Sequence, residues 1–420
     1  MPLRKVLLLT YHFPPSGAVA VYRMLGLVRH LPAYGWQPIV VAPPRVPWEP
    51  VDESLLAQVP PATAVERIPF AAGFFGKVAR YFAPESHWLL KARSACKRML
   101  REHRPEAVIT SSPPGCVHWL GLWLGLPWLA DFRDPWIVNQ TIPRWTLQLR
   151  YERWLEAKVM RRATRLIANT PMNQRGWAAA YPDQADKIVT ITNGFDPERF
   201  PPVGQAFQPD SARDGGSRQA GGKPDLPLTM LHAGELYHGR DPRPLLDALQ
   251  ALRLPLVAEF LGRMSGAEFD FAAEIAQRGL GDCVKLPGMV PYAQALERMM
   301  RADILLLVHT PEWRLGVPAK LYEYLGAGRP ILALAEPDSD IAWVLQTSKV
   351  LHRIASPRDV PAIRQALVEL TGAVQAGSPA APDRDAIQQF TRERMARRFA
   401  ECLDQCVPAN QAAPSATVPP

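Results

Sequence analysis

The chain has 420 residues, 47% hydrophobic and 21% charged, a balance that fits globular domains with sizeable cores and excludes a wholly disordered chain. At roughly 100–200 residues per domain, two domains are expected. The formal charge of +8 suits an anionic ligand, an anionic membrane surface or nucleic acid, and equally a merely solvated basic surface. The five cysteines form no C-x-x-C pair and no His/Cys cluster of zinc spacing, so no metal site is expected and a reducing compartment fits. Met1 to Thr10 is too short an apolar start for a signal peptide. The apolar run Val117 to Ala130 is broken by Gly and Pro and falls short of the ~20 residues a spanning helix needs. A protein not integral to a membrane is therefore expected.

In chain order, Val6-Leu7-Leu8-Leu9 reads as a buried strand, followed by a Pro-Pro loop and a helical pattern from Val21 to Leu31. Gly35 ends that pattern and Ile39-Val40-Val41-Ala42 is the next strand. Ala107 to Thr110, Trp128 to Ala130, Leu166 to Ala168 and Ile188 to Ile191 continue the series. Pro201 to Pro227 is rich in Pro, Gly, Asp, Gln and Ser and reads as a flexible linker or insertion. A second series follows: strands at Thr229–Ala233, Leu256–Leu261, Val284–Leu286, Ile304–Val308 and Pro330–Leu334, with helices at Pro244–Leu252, Tyr292–Met300 and Lys320–Ala327. Ile387, Phe390, Met395, Phe399 and Leu403 recur on one face of a last amphipathic stretch, Asp385 to Leu403. A tail rich in Ala, Pro, Ser and Thr follows Pro408.

Continuous apolar strands alternating with helices imply βαβ units and parallel sheets covered on both faces. The expected fold is α/β, with two Rossmann-like doubly wound domains facing across a cleft. The first spans 1–200 and the second 228–380. A terminal helix at 381–406 crosses back to the first domain, and the tail from 407 is disordered. In such sheets ligands bind beyond the carboxyl ends of the strands, so candidate residues should sit just after strands.

Three segments fit. Tyr11-His12-Phe13-Pro14-Pro15-Ser16-Gly17-Ala18 follows the first strand and precedes a helix N-terminus, without the G-x-G-x-x-G of a dinucleotide site. Asp131-Phe132-Arg133-Asp134-Pro135-Trp136 places two carboxylates and a guanidinium at another strand end, a set suited to hydroxyl recognition or to a local ion pair. His118 lies one turn past Ser111-Ser112-Pro113-Pro114 and is a weaker candidate. Gly316 to Pro330 enters a helix carrying Lys320, whose charge suits a diphosphate at a helix N-terminus, and Glu323, which can accept both ribose hydroxyls. An ordinary surface helix has the same residues.

Lys320-Leu321-Tyr322-Glu323-Tyr324-Leu325 with Gly328-Arg329-Pro330-Ile331-Leu332 resembles the donor-site helix of family 4 glycosyltransferases of the GT-B fold. Asp131 to Trp136 is similar to the D-F-R-D-P-W stretch of one bacterial branch, and Pro14 to Gly17 resembles the acceptor-side loop. Asn193-Gly194-Phe195-Asp196 resembles the N-G-x-D closing the first domain. Gly234 to Arg240 resembles the G-x-L-Y-x-x-R opening the second. The resemblance implies glycosyl transfer from a nucleoside diphosphate sugar, a co-substrate, to a glycan or lipid-linked acceptor. It implies retention, no cofactor and no bound metal, in envelope or extracellular polysaccharide assembly. It places Gly234, Arg240, Gly316 and Lys320 on the diphosphate side of the donor and Glu323 on the ribose. Asp131, Arg133, Asp134 and His118 are then catalytic candidates, and Pro15, Ser16 and Gly17 acceptor-binding ones. The family's other donor-site Glu would fall at Leu315, a departure that puts the contact to the transferred sugar in doubt. The competing readings are a degenerate sugar-nucleotide binder, which Leu315 favours, and a nucleotide-sugar epimerase, which lacks the acid–base series. A nucleic-acid binder lacks a recognisable module.

Phe74 to Arg104 holds eight Lys or Arg against two Glu, interleaved with Phe74, Phe75, Tyr81, Phe82 and Trp88. Arg144 to Arg165 holds seven basic residues against two acidic ones, with Trp145 and Trp154. These are either basic helices for an anionic interface or core aromatics beneath a solvated face. The expected location is cytoplasmic, with the first reading adding a peripheral place at the inner face of the cell membrane.

Overall fold

The computed structural model describes residues 3–46, 49–70, 84–136, 146–200, 227–236, 239–264, 269–377 and 383–408. The chain divides into two compact units, Met1–Gly194 with Arg392–Pro420, and Phe195–Thr391. The first runs β1 (Arg4–Thr10), α1 (Val21–His30), β2 (Trp36–Ala42), β3 (Ala64–Arg67), α2 (Pro84–His103), β4 (Ala107–Ser112) and α3 (His118–Leu124). It continues with β5 (Trp128–Phe132), α4 (Thr146–Arg162), β6 (Arg165–Ala168), α5 (Pro171–Ala180) and β7 (Ile188–Thr190). The second runs β8 (Leu228–Ala233), α6 (Arg243–Leu252), β9 (Leu256–Leu261), α7 (Phe271–Gln277), β10 (Val284–Gly288), α8 (Tyr292–Arg301) and β11 (Ile304–Val308). After these come α9 (Ala319–Ala327), β12 (Ile331–Leu334), α10 (Asp340–Ser348), β13 (His352–Ala355), α11 (Val360–Gln375) and α12 (Arg384–Gln388). Helix α13 (Arg392–Cys406) belongs to the first unit.

Both sheets are parallel, in the orders β3-β2-β1-β4-β5-β6-β7 and β10-β9-β8-β11-β12-β13. This is the α/β fold with two doubly wound Rossmann-like sheets that the alternation of apolar runs and helices implies. Each sheet is buried on both sides. Leu7 and Leu9 of β1 pack with Trp88 and Trp128, while Val6 and Leu8 pack with α1 and α13. That is why these strands read as unbroken apolar runs. Several helices start where side chains satisfy orphan N–H groups: Thr170, Asp270, Ser339, Asp359 and Asp383 each accept from the third residue on. Strand order reverses between β1 and β4 and between β8 and β11. These switch points are where open α/β sheets bind ligands.

The last amphipathic stretch is two helices rather than one. Ile387 and Phe390 join the core of the second unit, whereas Met395, Phe399 and Leu403 join that of the first. Their common period hides a break at Gln389–Thr391. Phe195 and Phe200 pack into the core of the second unit, so the chain passes from one unit to the other between Gly194 and Phe195. The stretch 201–226 and the tail beyond Pro408 lie outside the described residues, as do Phe74, Phe75, Tyr81, Phe82 and Trp145. Trp88 is core, 1% exposed, with its indole N–H donated to Ile68 O at 2.9 Å. Among the described residues no helix is long and apolar enough to cross a membrane.

Phe399 is fully buried against α1. Phe399→Ala is expected to destabilise the first unit by about 3–5 kcal/mol, the usual cost of deleting a buried aromatic ring. Urea unfolding followed by tryptophan fluorescence checks it.

Candidate functional site

At the first switch point a buried ion pair sets the geometry. Arg23, on the inward face of α1, donates from Nε to Asp131 Oδ2 (3.0 Å) and from Nη2 to Asp131 Oδ1 (2.7 Å). Its remaining N–H groups reach Ile191 O, Thr192 O and Asn193 Oδ1. Ser111 Oγ also donates to Asp131, at 2.7 Å. Asp131 is 0% exposed, and both its oxygens are engaged. The structure therefore moves Asp131 from catalytic candidate to positioning residue: a carboxylate enclosed in this way cannot meet a substrate.

Arg133 holds loops. Nε donates to Ser112 O (2.9 Å), Nη1 to Ala20 O (3.1 Å) and Nη2 to Pro113 O (2.5 Å). Burial pushes its pKa down to about 10, with Asp131 and Asp134 opposing, so it stays charged at neutral pH. Asn169 Nδ2 donates to its carbonyl at 2.8 Å. The Trp136 ring lies on the backbone of Gly115, where a Cβ would come within 2.2 Å of it; only glycine admits that contact.

His118 is also corrected. Its Nδ1 lies 2.7 Å from Thr110 Oγ1, which also accepts from Trp128 Nε1 at 2.7 Å, and its Nε2 lies 2.9 Å from Ser112 Oγ. The ring is wholly buried, and burial, then Arg133, pushes its pKa down to about 3. It is a neutral link in an interior hydrogen-bond chain and not an acid or base for substrate.

Beside these groups lies a second polar cluster, of which Asp134 is the exposed member and Ser16, His12 and Glu49 are buried or largely so. Asp134 is open to solvent, with no side-chain hydrogen bond among the described residues. Its carboxyl is pushed upward by the protein crowded around it, against the pull of Arg133 and His12. His12 Nδ1 lies 2.8 Å from Glu49 Oε1, and Ser16 Oγ donates to Glu49 Oε2 at 2.5 Å. Burial pulls Glu49 up, but the His12 and Ser16 hydrogen bonds hold it below the ordinary carboxylate range. Asp52 N donates to Pro15 O (2.9 Å) and Gly17 N to Pro50 O (2.7 Å), which pins the loop that carries Ser16. The structure thus brings Pro15, Ser16 and Gly17 together with Asp134 and adds the His12–Glu49 pair, which the sequence reading missed. An unpaired carboxylate beside a His–Glu pair suits hydroxyl groups of a polar molecule.

At the second switch point Gly234, Arg240, Lys320 and Glu323 converge. Gly234 has φ +124°, and a Cβ there would lie 2.5 Å from Lys320 Nζ. The ammonium can sit over the backbone only because residue 234 has no side chain. His232 Nδ1 donates to Leu306 O at 3.0 Å, so its Nε2 is the acceptor that faces Lys320 Nζ at 3.4 Å. Burial, then Arg240, pushes Lys320 down to about 7, with Glu323 opposing. His309 is pushed down to about 4 by burial, Arg240 and Lys320. Glu323, one turn into α9, accepts from Tyr292 OH at 2.6 Å. Gly316, at φ +93°, gives its N–H to Asp340 Oδ2 at 3.0 Å. Tyr324 OH accepts from Ala233 N (3.0 Å) and donates to Leu306 O (3.1 Å), which locks α9 to β8 and β11. Two cations and a helix start without a side-chain cap, beside histidines whose pKa values are pushed down, are an arrangement suited to an anion. His232 and His309 were legible only as single histidines at strand ends.

Residues 20–199 match the model of Glycosyltransferase Family 4. The curated D-inositol 3-phosphate glycosyltransferase of Arthrobacter sp. (strain FB24) is 28% identical over 184 residues, 42% of this chain and 41% of the relative. The chain spans about two fifths of the length of the curated relatives it matches. Sucrose-phosphate synthase from Thermosynechococcus elongatus aligns with a TM-score of 0.67 at 16% identity, covering 96% of this chain and 98% of that one. Anabaena Alr3699/HepE, solved with UDP, aligns with a TM-score of 0.65 at 15% identity, covering 96% of this chain and all of its own. At such identities the likeness is one of fold.

Arg23→Met leaves the Asp131 carboxylate buried and unpaired, and should cost about 3–5 kcal/mol. Arg23→Met with Asp131→Leu should recover part of that loss. Chemical denaturation of the single and double variants measures the coupling.

Proposed function

We propose that this chain is a family 4 glycosyltransferase that moves a sugar from a nucleoside diphosphate sugar to an acceptor hydroxyl. The observation that carries the reading is Lys320, held over the Cβ-less backbone of Gly234 and close enough to Arg240 to feel its charge, where burial, then Arg240, depresses the lysine to about 7. A diphosphate between the two cations removes their mutual repulsion. As the bond from the anomeric carbon to the diphosphate oxygen breaks, charge grows on that oxygen, and the same two cations stabilise it. This is also the charge that a reaction without a bound metal requires. Glu323, oriented by Tyr292, accepts the ribose hydroxyls. HepE, of similar fold, is solved with UDP, which supports a nucleotide at such a site.

On this reading the acceptor lies against Ser16, His12, Glu49 and Asp134. Asp131, Arg133 and His118 act through the loops they hold. Retention, hexosyl transfer and a place in envelope or extracellular polysaccharide assembly rest on the likeness to family 4. Proton NMR of the product's anomeric carbon tests the stereochemistry. Leu315 supports a second reading, a binder without turnover. Release of free nucleoside diphosphate from a panel of sugar nucleotides separates the two.

Glu323→Ala should weaken nucleoside diphosphate binding roughly 5- to 150-fold, the effect of about 1–3 kcal/mol lost from poorly paired hydroxyls. Isothermal titration of the folded variant checks it, and unchanged affinity removes the donor-site assignment.

Binding should depend on pH through Lys320. A bound diphosphate raises the pKa again, so binding above pH 7 takes up a proton. Affinity should therefore fall as pH rises above about 7, by up to tenfold per unit until the bound-state pKa is passed. A sugar nucleotide is the right probe, because its diphosphate diester does not titrate in this range. Calorimetry in two buffers of different ionisation enthalpy counts the proton: near one per site at pH 8, near none at pH 6. In Lys320→Arg, always charged, the dependence should vanish.

A further inference from the structure

Helix α4 has two apolar faces. Leu155, Val159 and Met160 enter the core of the first unit. Leu147, Tyr151 and Trp154, at i, i+4 and i+7, share another face and stand 76%, 44% and 48% exposed. Lys158 continues that stripe, its ammonium 4.8 Å from the Trp154 ring and 5.0 Å from the Trp119 ring. Trp119 donates its indole N–H to Tyr151 OH at 2.7 Å and stacks on Trp123 at 5.5 Å. Arg93 lies over Trp123, and beside it on α2 Leu90 is 68% exposed. The aromatic sheaf thus runs across two helices of one unit, with Arg93 and Leu90 of a third at its edge. Among the described residues basic groups outnumber acidic ones around it, with Glu152, which accepts from Gln148, on α4. Arg150, Arg153 and Arg161 of α4 are exposed, whereas one of the helix's two acids, Glu156, is buried and bonded to Tyr181.

We infer that this patch seats the first unit on an anionic lipid bilayer. Trp and Tyr are the side chains that settle at a membrane interface, because an apolar ring carries one polar handle. Leu147 and Leu90 supply apolar area below them. The arginines and Lys158 reach the negative headgroups, and cations with exposed aromatics on one helix face are the pattern of interfacial binding. A soluble protein surface would spread its large apolar side chains singly rather than gather them. The basic residues select against an apolar protein partner, which offers them nothing to neutralise. The inference stands on the first unit alone and is independent of the donor site.

The test is flotation of the full chain with phosphatidylcholine vesicles, with and without phosphatidylglycerol. Binding is expected only with phosphatidylglycerol, weakening as salt shortens the Debye length. Arg150→Gln with Arg153→Gln should weaken it roughly 25-fold, about fivefold per charge at ~1 kcal/mol each. Tyr151→Ser with Trp154→Ser should abolish it, with sugar-nucleotide binding unchanged as a sign that the fold is intact. Should that pair fail to fold, Leu147→Ser must weaken binding severalfold. No flotation of the unaltered chain at low salt overturns the inference. So does equal flotation of all variants, or concentration-dependent self-association that Trp154→Ser removes.

Discussion

Placing the Arg23 guanidinium against the Asp131 carboxylate inside the first unit constrains nearly everything around its switch point. A buried charge is tolerated only when it is paired and its remaining hydrogen-bonding capacity is filled. Arg23 fills its capacity with Asp131, Ile191 O, Thr192 O and Asn193 Oδ1. That binds α1 to the end of β5 and to the exit of β7. The same guanidinium stands 5.1 Å from the Phe399 ring, so α13 is tied to it as well. The loops carrying Ser16, Pro113 and Asp134 are thereby held by groups that never face solvent.

The second unit solves the opposite problem. There two cations, Lys320 and Arg240, are kept close, with Glu323 one turn away, opposing the depression of Lys320 and engaged by Tyr292. Burial and the neighbouring cations push the pKa values of the histidines around it down. On the proposed reading an anionic ligand offsets the repulsion between Lys320 and Arg240, and its binding draws a proton onto Lys320.

Between these two arrangements the labour is divided by burial. Residues that sequence reading grouped as one acidic–basic stretch, Asp131 to Asp134, separate completely. Asp131 and Arg133 point inward and build the scaffold, while Asp134 points outward. The split falls where β5 ends: Asp131 lies within the strand, and Arg133 and Asp134 lie in the bend after it, which turns Asp134 outward. Of this stretch only Asp134 is exposed, beside the largely buried His12–Glu49 pair.

Much of the fold was legible in the chain. Strands buried on both sides must be apolar throughout, so β1, β2, β4, β8, β9 and β11 show as runs of Val, Ile and Leu. The strands β3 and β13, Ala-Val-Glu-Arg and His-Arg-Ile-Ala, escape because charged residues interrupt them and no apolar run forms. Of the site, Gly234, Lys320 and Glu323 were legible, since a glycine after a strand and a cation at a helix start each carry a local backbone reason. Arg23 with Asp131 and His12 with Glu49 were not. Their partners lie 108 and 37 positions away, and no spacing rule reaches that far. Local sequence determines which backbone each segment prefers and which face is apolar. Only the folded sheet decides which charges share the interior, because the cost of burying a charge depends on the neighbour that tertiary packing supplies.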